Sequence, residues 1–353
     1  MSAAIRAMHY CLPKERLNNA TLEERFGTKA LDSIVNMAGI HERRIVTPGV
    51  TAADLAYVAA QGLLADCHID LHSIDLLVFT SQTPDYQIPA TACVLHGRLG
   101  LSKTCAAFDL NLGCSAFPYT LSVAEGMIAA GRARRALILN ADALTTVIHP
   151  QDRALVPLQG DGAAATLVEI SESSIGVQGT VLGTDGSGHQ HLIIPASGAR
   201  CPRSGETRRE LRDDNGSIRT REHLSMNGPA IFHFCVYQIP EAIEDALAQW
   251  DTDLEAVDLV IFHQANKTML ELIYQKLKIP SHKRFFFMAT VGNLSGASVP
   301  VTIAEAWRQG KIKPGSLTLL AAFGVGLSWG ITLLRWPDPL PPPVAVSTEY
   351  LTT

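Results

Sequence analysis

Three polar side chains stand where short apolar runs give way to glycine-flanked turns: Cys114 in "LNLGCSAF", His263 in "VIFHQANK" and Asn293 in "TVGNLSGASVPVTIAEAW". A thiol attacks as its anion, and the unpaired N–H groups at the start of a helix favour that anion. Pro118 suits the first turn of a helix, so the sequence predicts Cys114 at a strand-to-helix elbow in surroundings that favour a thiolate. On the cysteine alone a second reading stays open, a small buried hydrophobe. Histidine donates from a ring nitrogen and asparagine from its amide, and the two together can hold a carbonyl oxygen as it gains negative charge. Singly, each is an ordinary strand-end or turn residue. A further piece is "AAFGVGLSWG" (321–330), where Gly324, Gly326 and Gly330 interrupt an apolar strand and mark close backbone approach. The Val325 N–H, with that of Cys114, can form an oxyanion hole for a thioester carbonyl; a bulged turn between packed strands is the other reading.

The elements that must position these residues alternate. "IDLLVFTS" (74–81), "RRALILNADA" (134–143) and "AATLVEI" (164–170) are short apolar runs, and "PYTLSVAEGMIAAGRA" (118–133) carries helical spacing. Such runs, apolar on both faces and separated by helices, predict buried strands of a layered α/β fold. "AVDLVIFHQANKTM" (256–269) repeats the phrase around residues 74–86 in its opening Asp, apolar run and polar exit. The reading is an internal duplication, residues 1–175 carrying the cysteine and 176–336 the histidine and asparagine. Between them 196–228 is charged, Gly-rich and aperiodic, an excursion over the surface, and 337–353 is a proline-rich tail outside the core.

Composition narrows the function. With 353 residues and a net charge of -5 there is room for two core-bearing units and no basic field for nucleic acid. The N-terminal stretch has no secretory h-region and no run is long enough to span a membrane, so a cytoplasmic protein is expected. Seven scattered cysteines without a C-x-x-C pair, and twelve histidines without an H-E-x-x-H cluster, argue against a disulfide framework and against metal. "HQH" at 189–191 reads as a loop.

Taken in order, "GIHERRI" (39–45), "SQTPDYQIPATA" (81–92), "LNLGCSAF", "GDGAAATLVE" from Gly160, "HQAN", "GNLSGASVP" and "GVGLSWG" resemble the β-ketoacyl-acyl carrier protein synthase III branch of the thiolase-like superfamily over nearly the whole chain. That resemblance implies thiolase-like duplicated βαβαβαββ halves in a layered α-β-α-β-α arrangement and a cytoplasmic homodimer without metal or redox cofactor. It implies a decarboxylative Claisen condensation between an acyl thioester, carried by acyl carrier protein or coenzyme A, and malonyl-acyl carrier protein. Cys114 would hold the acyl group, His263 and Asn293 would serve the malonyl thioester, and the amides of Cys114 and Val325 would form the oxyanion hole. Arg153, Asn266, Ile88, Gly324 and Gly326 would contact substrate, with Ile88 reaching the partner subunit's acyl pocket.

Where coenzyme A-primed members carry a tryptophan and an arginine for the nucleotide, this chain has Ser33 and Met37, and Thr268 stands where an arginine is common. A carrier-protein donor, met by Lys267, Lys276 and Arg153, is therefore expected over coenzyme A. Ile88 in place of an aromatic residue suggests longer or branched primers. The rival reading is a Cys-dependent acyltransferase of the same fold that passes the acyl group to a hydroxyl or amine; Asn293 argues against it.

Overall fold

The computed structural model describes residues 2–28, 35–171 and 174–340. Ser33 and the tail beyond residue 340 lie outside them. The first of two main sheets contains β1 (Ser2–Cys11), β2 (Leu76–Thr80), β3 (Ala106–Leu110), β4 (Arg135–Asp142) and β5 (Gly162–Ser171), in the spatial order β1-β5-β4-β2-β3. The second contains β6 (Gly176–Thr184), β7 (Leu259–Phe262), β8 (Leu317–Gly324) and β9 (Ser328–Arg335), in the order β7-β8-β9-β6. From β2 through β4 and β5 to β1 the pairings run parallel, antiparallel, antiparallel. From β7 through β8 and β9 to β6 they run the same way. The phrase that the sequence repeats is thus the parallel strand opening each series, β2 and β7.

Both faces of each sheet are covered, which is why β2 and β7 are apolar without alternation. Helices α1 (Ala52–Asp66) and α2 (Thr91–Leu99) pack on the outer face of the first sheet. The corresponding face of the second is covered by α4 (Ile239–Gln249) and α5 (Lys267–Lys276). Between the sheets lie α3 (Ala116–Ala129) and α6 (Ser298–Arg308), each touching strands of both. Helix α6 is buried on every side from Ser298 through Trp307, as a helix of a central layer must be. The result is five layers, α-β-α-β-α.

Two features depart from the sequence reading. Strand β1 carries no helical or alternating signal, because eight of its ten residues are buried, on both faces, while exposed Arg6 interrupts them. The 196–228 segment is not purely a surface excursion: 211–212 pairs with 218–219 inside it, and 225–226 pairs with 192–193, which brings its end back against the preceding chain. Among the described residues no helix is long and apolar enough to cross a membrane.

Candidate active site

Cys114 lies between β3 and α3, one residue ahead of the N-cap Ser115. Its neighbours can approach only because glycines leave room. A Cβ on Gly330 of β9 would stand 2.5 Å from the Pro118 Cβ, so that glycine lets the first turn of α3 lie against the second sheet. A Cβ on Gly324 would stand 2.7 Å from the Cys114 Cβ and 2.9 Å from Sγ. The Ser115 hydroxyl bonds that of Ser328 at 2.7 Å, and Ser328 Oγ donates to the Val325 carbonyl at 2.7 Å, fixing the 324–328 loop over the elbow. In consequence the N–H groups of Val325 and of Cys114 itself act on the sulfur and favour its anion.

The thiolate expected from the helix start is not what these surroundings favour. Burial, followed by the nearby Asp142 carboxylate, outweighs the N–H groups and pushes the Cys114 thiol up to about 11. The sequence could not show this, because Asp142 is 28 positions away (142 − 114) and meets the cysteine only through the sheet order.

His263 follows β7 directly and is buried; its N–H donates to the Ala321 carbonyl at 2.8 Å. Its ring meets Phe323 edge-on at 6.0 Å, and Nδ1 is sealed from solvent without a partner. Burial pushes this histidine down to about 3, so it is a neutral imidazole at any physiological pH. Gln264 holds the exit in place: Nε2 donates to the Phe262 carbonyl and Oε1 accepts from Phe287 N–H, both at 2.8 Å. Its backbone N–H donates to Ser298 Oγ at 2.9 Å, tying the exit to α6. This clamping role is invisible in the phrase "HQAN".

Asn293 lies in the glycine-flanked turn feeding a helix that the sequence predicts, but among the described residues no strand leads into that turn. It precedes α6 and is paired with Gln159 in an isolated parallel bridge. A Cβ on Gly160 would come 2.1 Å from the Val291 carbonyl oxygen, which is why the "GDG" strand entry can lie against this turn. Asn293 Oδ1 accepts from Ser295 N–H at 2.9 Å, leaving the amide nitrogen free to donate.

Cys114, His263, Asn293, Asn266 and Gly324 all line one cavity of about 750 Å³, whose other walls are chiefly apolar. Asn266 also caps α5, its Oδ1 accepting from Met269 N–H at 2.8 Å. Leu224, Met226 and Gly228 line the cavity too, so the end of the presumed excursion builds the site. Met37 and Tyr237, both exposed, stand at its rim. Arg153 is not a lining residue; its guanidinium lies over Gly216, and its N–H donates to Ser217 Oγ. Gly326 and Thr268 also stay outside the lining, and Ile88 projects into solvent with 88% of its surface exposed. Sequence reasoning passed over Cys235, Ser295 and Asp142: the first two line the cavity, and Asp142 acts on the Cys114 sulfur through its charge. Among the described residues no group of His, Cys, Asp and Glu is placed to hold a metal ion.

The same chain matches two family models, 3-oxoacyl-[acyl-carrier-protein (ACP)] synthase III over residues 108–186 and the synthase III C-terminal model over 247–336. The β-ketoacyl-[acyl-carrier-protein] synthase III of Caldanaerobacter subterraneus subsp. tengcongensis is 35% identical over 337 residues, covering 95% of this chain and 98% of that protein. A 2.1 Å crystal structure of a 3-oxoacyl-(acyl-carrier-protein) synthase III superposes with a TM-score of 0.93 at 37% identity, covering 95% of this chain and all of that one. The priming β-ketosynthase of the R1128 polyketide pathway superposes with a TM-score of 0.83 at 26% identity, covering 97% of each chain. The fold is therefore thiolase-like, and the chain belongs to the β-ketoacyl-[acyl-carrier-protein] synthase III family.

Proposed function

We propose that this chain is an acyltransferase that condenses an acyl thioester with malonyl-acyl carrier protein, losing CO2 and giving a 3-oxoacyl thioester for fatty acid or polyketide synthesis. The observation that carries the reading is the meeting of Cys114, under the Val325 N–H, with His263 and Asn293 in one apolar cavity. In the first stage the Cys114 sulfur attacks the acyl carbonyl, and the N–H groups of Cys114 and Val325 receive the oxyanion. In the second, neutral His263 and the Asn293 amide donate to the malonyl thioester oxygen as CO2 leaves, and the enolate so formed attacks the acyl-cysteine. A neutral imidazole suits this duty, since the enolate needs a hydrogen-bond donor at a stable ring nitrogen. Transfer to a hydroxyl or amine would leave the Asn293 amide without a task.

The cavity, about 750 Å³ with chiefly apolar walls, is offered to a phosphopantetheine arm supplied by acyl carrier protein or coenzyme A, and no metal or redox cofactor enters either stage. Its thioester substrates put the enzyme in the cytoplasm on this reading. Homodimer formation is supported by the half-exposed edge strand β3 and by the exposed Tyr86 and Ile88, which in a paired molecule would be covered by the second copy. We also divide the chain functionally near residues 171–176, between β5 and β6. Release of CO2 from malonyl-acyl carrier protein, dependent on a prior acyl adduct on Cys114, tests the proposal; adduct formation without any CO2 release favours the simple acyltransferase.

A further inference from the structure

Within electrostatic reach of Cys114 lies a carboxylate that the two-stage mechanism leaves unused. Asp142, the last residue of β4, is wholly buried. Its Oδ1 accepts from Gln82 N–H at 2.8 Å and from the Ser81 hydroxyl at 3.2 Å, and its Oδ2 accepts from Gly296 N–H at 3.1 Å. Those three partners belong to the exit of β2 and the turn ahead of α6, so the carboxylate sits where the walls around the cysteine converge.

Ser295 lines the cavity together with Cys114, and the N–H of its neighbour Gly296 is the one bound to Asp142 Oδ2. The Ser295 hydroxyl is near enough to act on both groups, yet it is sealed from solvent and makes no well-aligned hydrogen bond to either. Its backbone is held at a φ of 49°, the left-handed region that serine rarely adopts, and its N–H is committed to Asn293. An uncommon backbone conformation that leaves a buried hydroxyl unpartnered in the cavity of a nucleophile, next to the turn that holds a buried carboxylate, asks for a chemical reason.

Charge supplies one. Asp142 titrates above the ordinary carboxylate range because of its burial, and it raises the Cys114 thiol in turn. Such a pocket holds one negative charge far more readily than two. Other titratable groups face the pair as well. Asp161, held by Val46 and Thr145 N–H groups, faces Asp142 and is pushed up to about 6; Cys235, raised by burial, faces Cys114; neutral His263 lines the same cavity. None of them brings a cation.

We propose that Ser295 and Asp142 form the proton path of the first stage: as the Cys114 sulfur attacks the acyl carbonyl, its proton passes to the Ser295 oxygen while the serine proton passes to Asp142. This rests on Cys114 being the nucleophile. One S–C bond forms, and the negative charge moves from the carboxylate to the oxyanion under the Val325 and Cys114 amides. When the intermediate collapses, the old thioester C–S bond breaks. The departing thiolate then takes a proton back along the same path from Asp142. The stage ends with acyl-Cys114, a free thiol and an ionised Asp142, so atoms and charge balance without any external acid or base. On this path Ser295 exchanges a proton with the reacting sulfur and is the catalytic group; Asp142 acts through it.

The sign of one comparison tests this. Single-turnover acylation of Cys114 is followed by intact mass from pH 7 to 9.5, beside alkylation of the same thiol by iodoacetamide. Asp142→Asn removes the repelling charge and the proton acceptor together. It should slow acylation at pH 7 by about 10²–10⁴-fold, the usual loss of an acid–base group, while speeding alkylation. Ser295→Gly suits the left-handed backbone; it should slow acylation and make its rate rise close to tenfold per pH unit, because the proton must now leave to solvent, whereas the parent enzyme shows a shallower rise. Acylation by Asp142→Asn at the parent rate or faster overturns the proposal, as does a parallel fall in acylation and alkylation, which marks a structural role. Ser295→Gly acylating like the parent overturns it independently of how Asp142→Asn folds. If the parent enzyme's adduct lies on a residue other than Cys114, the nucleophile assignment falls and the proton path with it.

Discussion

Gly324→Ala perturbs the site through one methyl group. The new Cβ would stand 2.7 Å from the Cys114 Cβ and 2.9 Å from its sulfur, against about 3.5–4.0 Å for comfortable carbon contacts. Relief needs a displacement of roughly 1 Å on that scale, and neither side can yield freely. The cysteine is fixed by Ser115 and Pro118, and the loop by the Ser328–Val325 bond. Backbone adds to the strain, since residue 324 has a φ of 157°, which alanine rarely adopts. Overpacking of this kind costs about 1–3 kcal/mol of stability. Because the next peptide N–H is that of Val325, the larger effect falls on the oxyanion. Losing one such donor costs about 10²–10³ in rate. Acylation of Cys114 by an acyl thioester, followed by intact mass under single-turnover conditions, should fall by that factor in a variant that still folds, as judged by circular dichroism. Acylation within threefold of the parent enzyme, at an unchanged melting temperature, would refute the claim that Gly324 exists to bring the Val325 amide to the sulfur.

His263→Ala and Asn293→Ala should slow malonyl decarboxylation by about 10²–10³-fold and leave Cys114 acylation within a few fold; equal losses in both half-reactions would contradict the division of labour. Because burial depresses His263 to about 3 from an ordinary value of 6.5, the unfolded chain binds the extra proton first. Stability is then present above pH 6.5 and is lost as pH falls toward 3, by about 3 kcal/mol at pH 4.5. His263→Gln should flatten the melting-temperature curve between pH 6.5 and 4.5, and an unaltered slope would count against a neutral buried imidazole. At the cavity rim Lys276 Nζ lies 3.7 Å from the Tyr237 ring centre and Met37 is exposed. Acyl carrier protein should therefore acylate Cys114 faster than the matching acyl-coenzyme A at low salt, with the advantage shrinking as salt rises; an equal or faster rate from coenzyme A overturns that preference.

How far the sequence carries can be read from individual residues. "IDLLVFT" and "VDLVIFH" were legible as strands and as copies of one another because burial on both faces leaves an unbroken apolar run. Cys114 and His263 were legible because reactive side chains stand out at the ends of such runs. Strand β1 was not, since its burial leaves no periodicity and Arg6 breaks the run. The charge state of Cys114 was misjudged for a reason of a different order. A helix start can be seen in "GCSAFP", but what opposes it, burial of the thiol and the Asp142 carboxylate, comes from tertiary packing. Leu224 and Met226 were hidden among charged neighbours in the 196–228 segment, although they face the cavity. Asn266, which the resemblance makes a substrate contact, has its side-chain carbonyl committed to capping α5, and its neighbour Gln264 is committed by hydrogen bonds to holding the chain, a role no motif announces.

The central claim is that Cys114 carries the acyl group and that His263 and Asn293 then turn malonyl thioester into the attacking carbanion. Intact-mass analysis with peptide mapping, after incubation with an acyl thioester and then with malonyl-acyl carrier protein, tests it most directly. The account predicts a single acyl adduct on Cys114, absent from Cys114→Ala, which disappears on adding malonyl-acyl carrier protein as one equivalent each of CO2 and 3-oxoacyl-acyl carrier protein forms. An adduct on Cys93, Cys105 or Cys235, or CO2 release at the parent rate from Cys114→Ala with 3-oxoacyl product still formed, would contradict it.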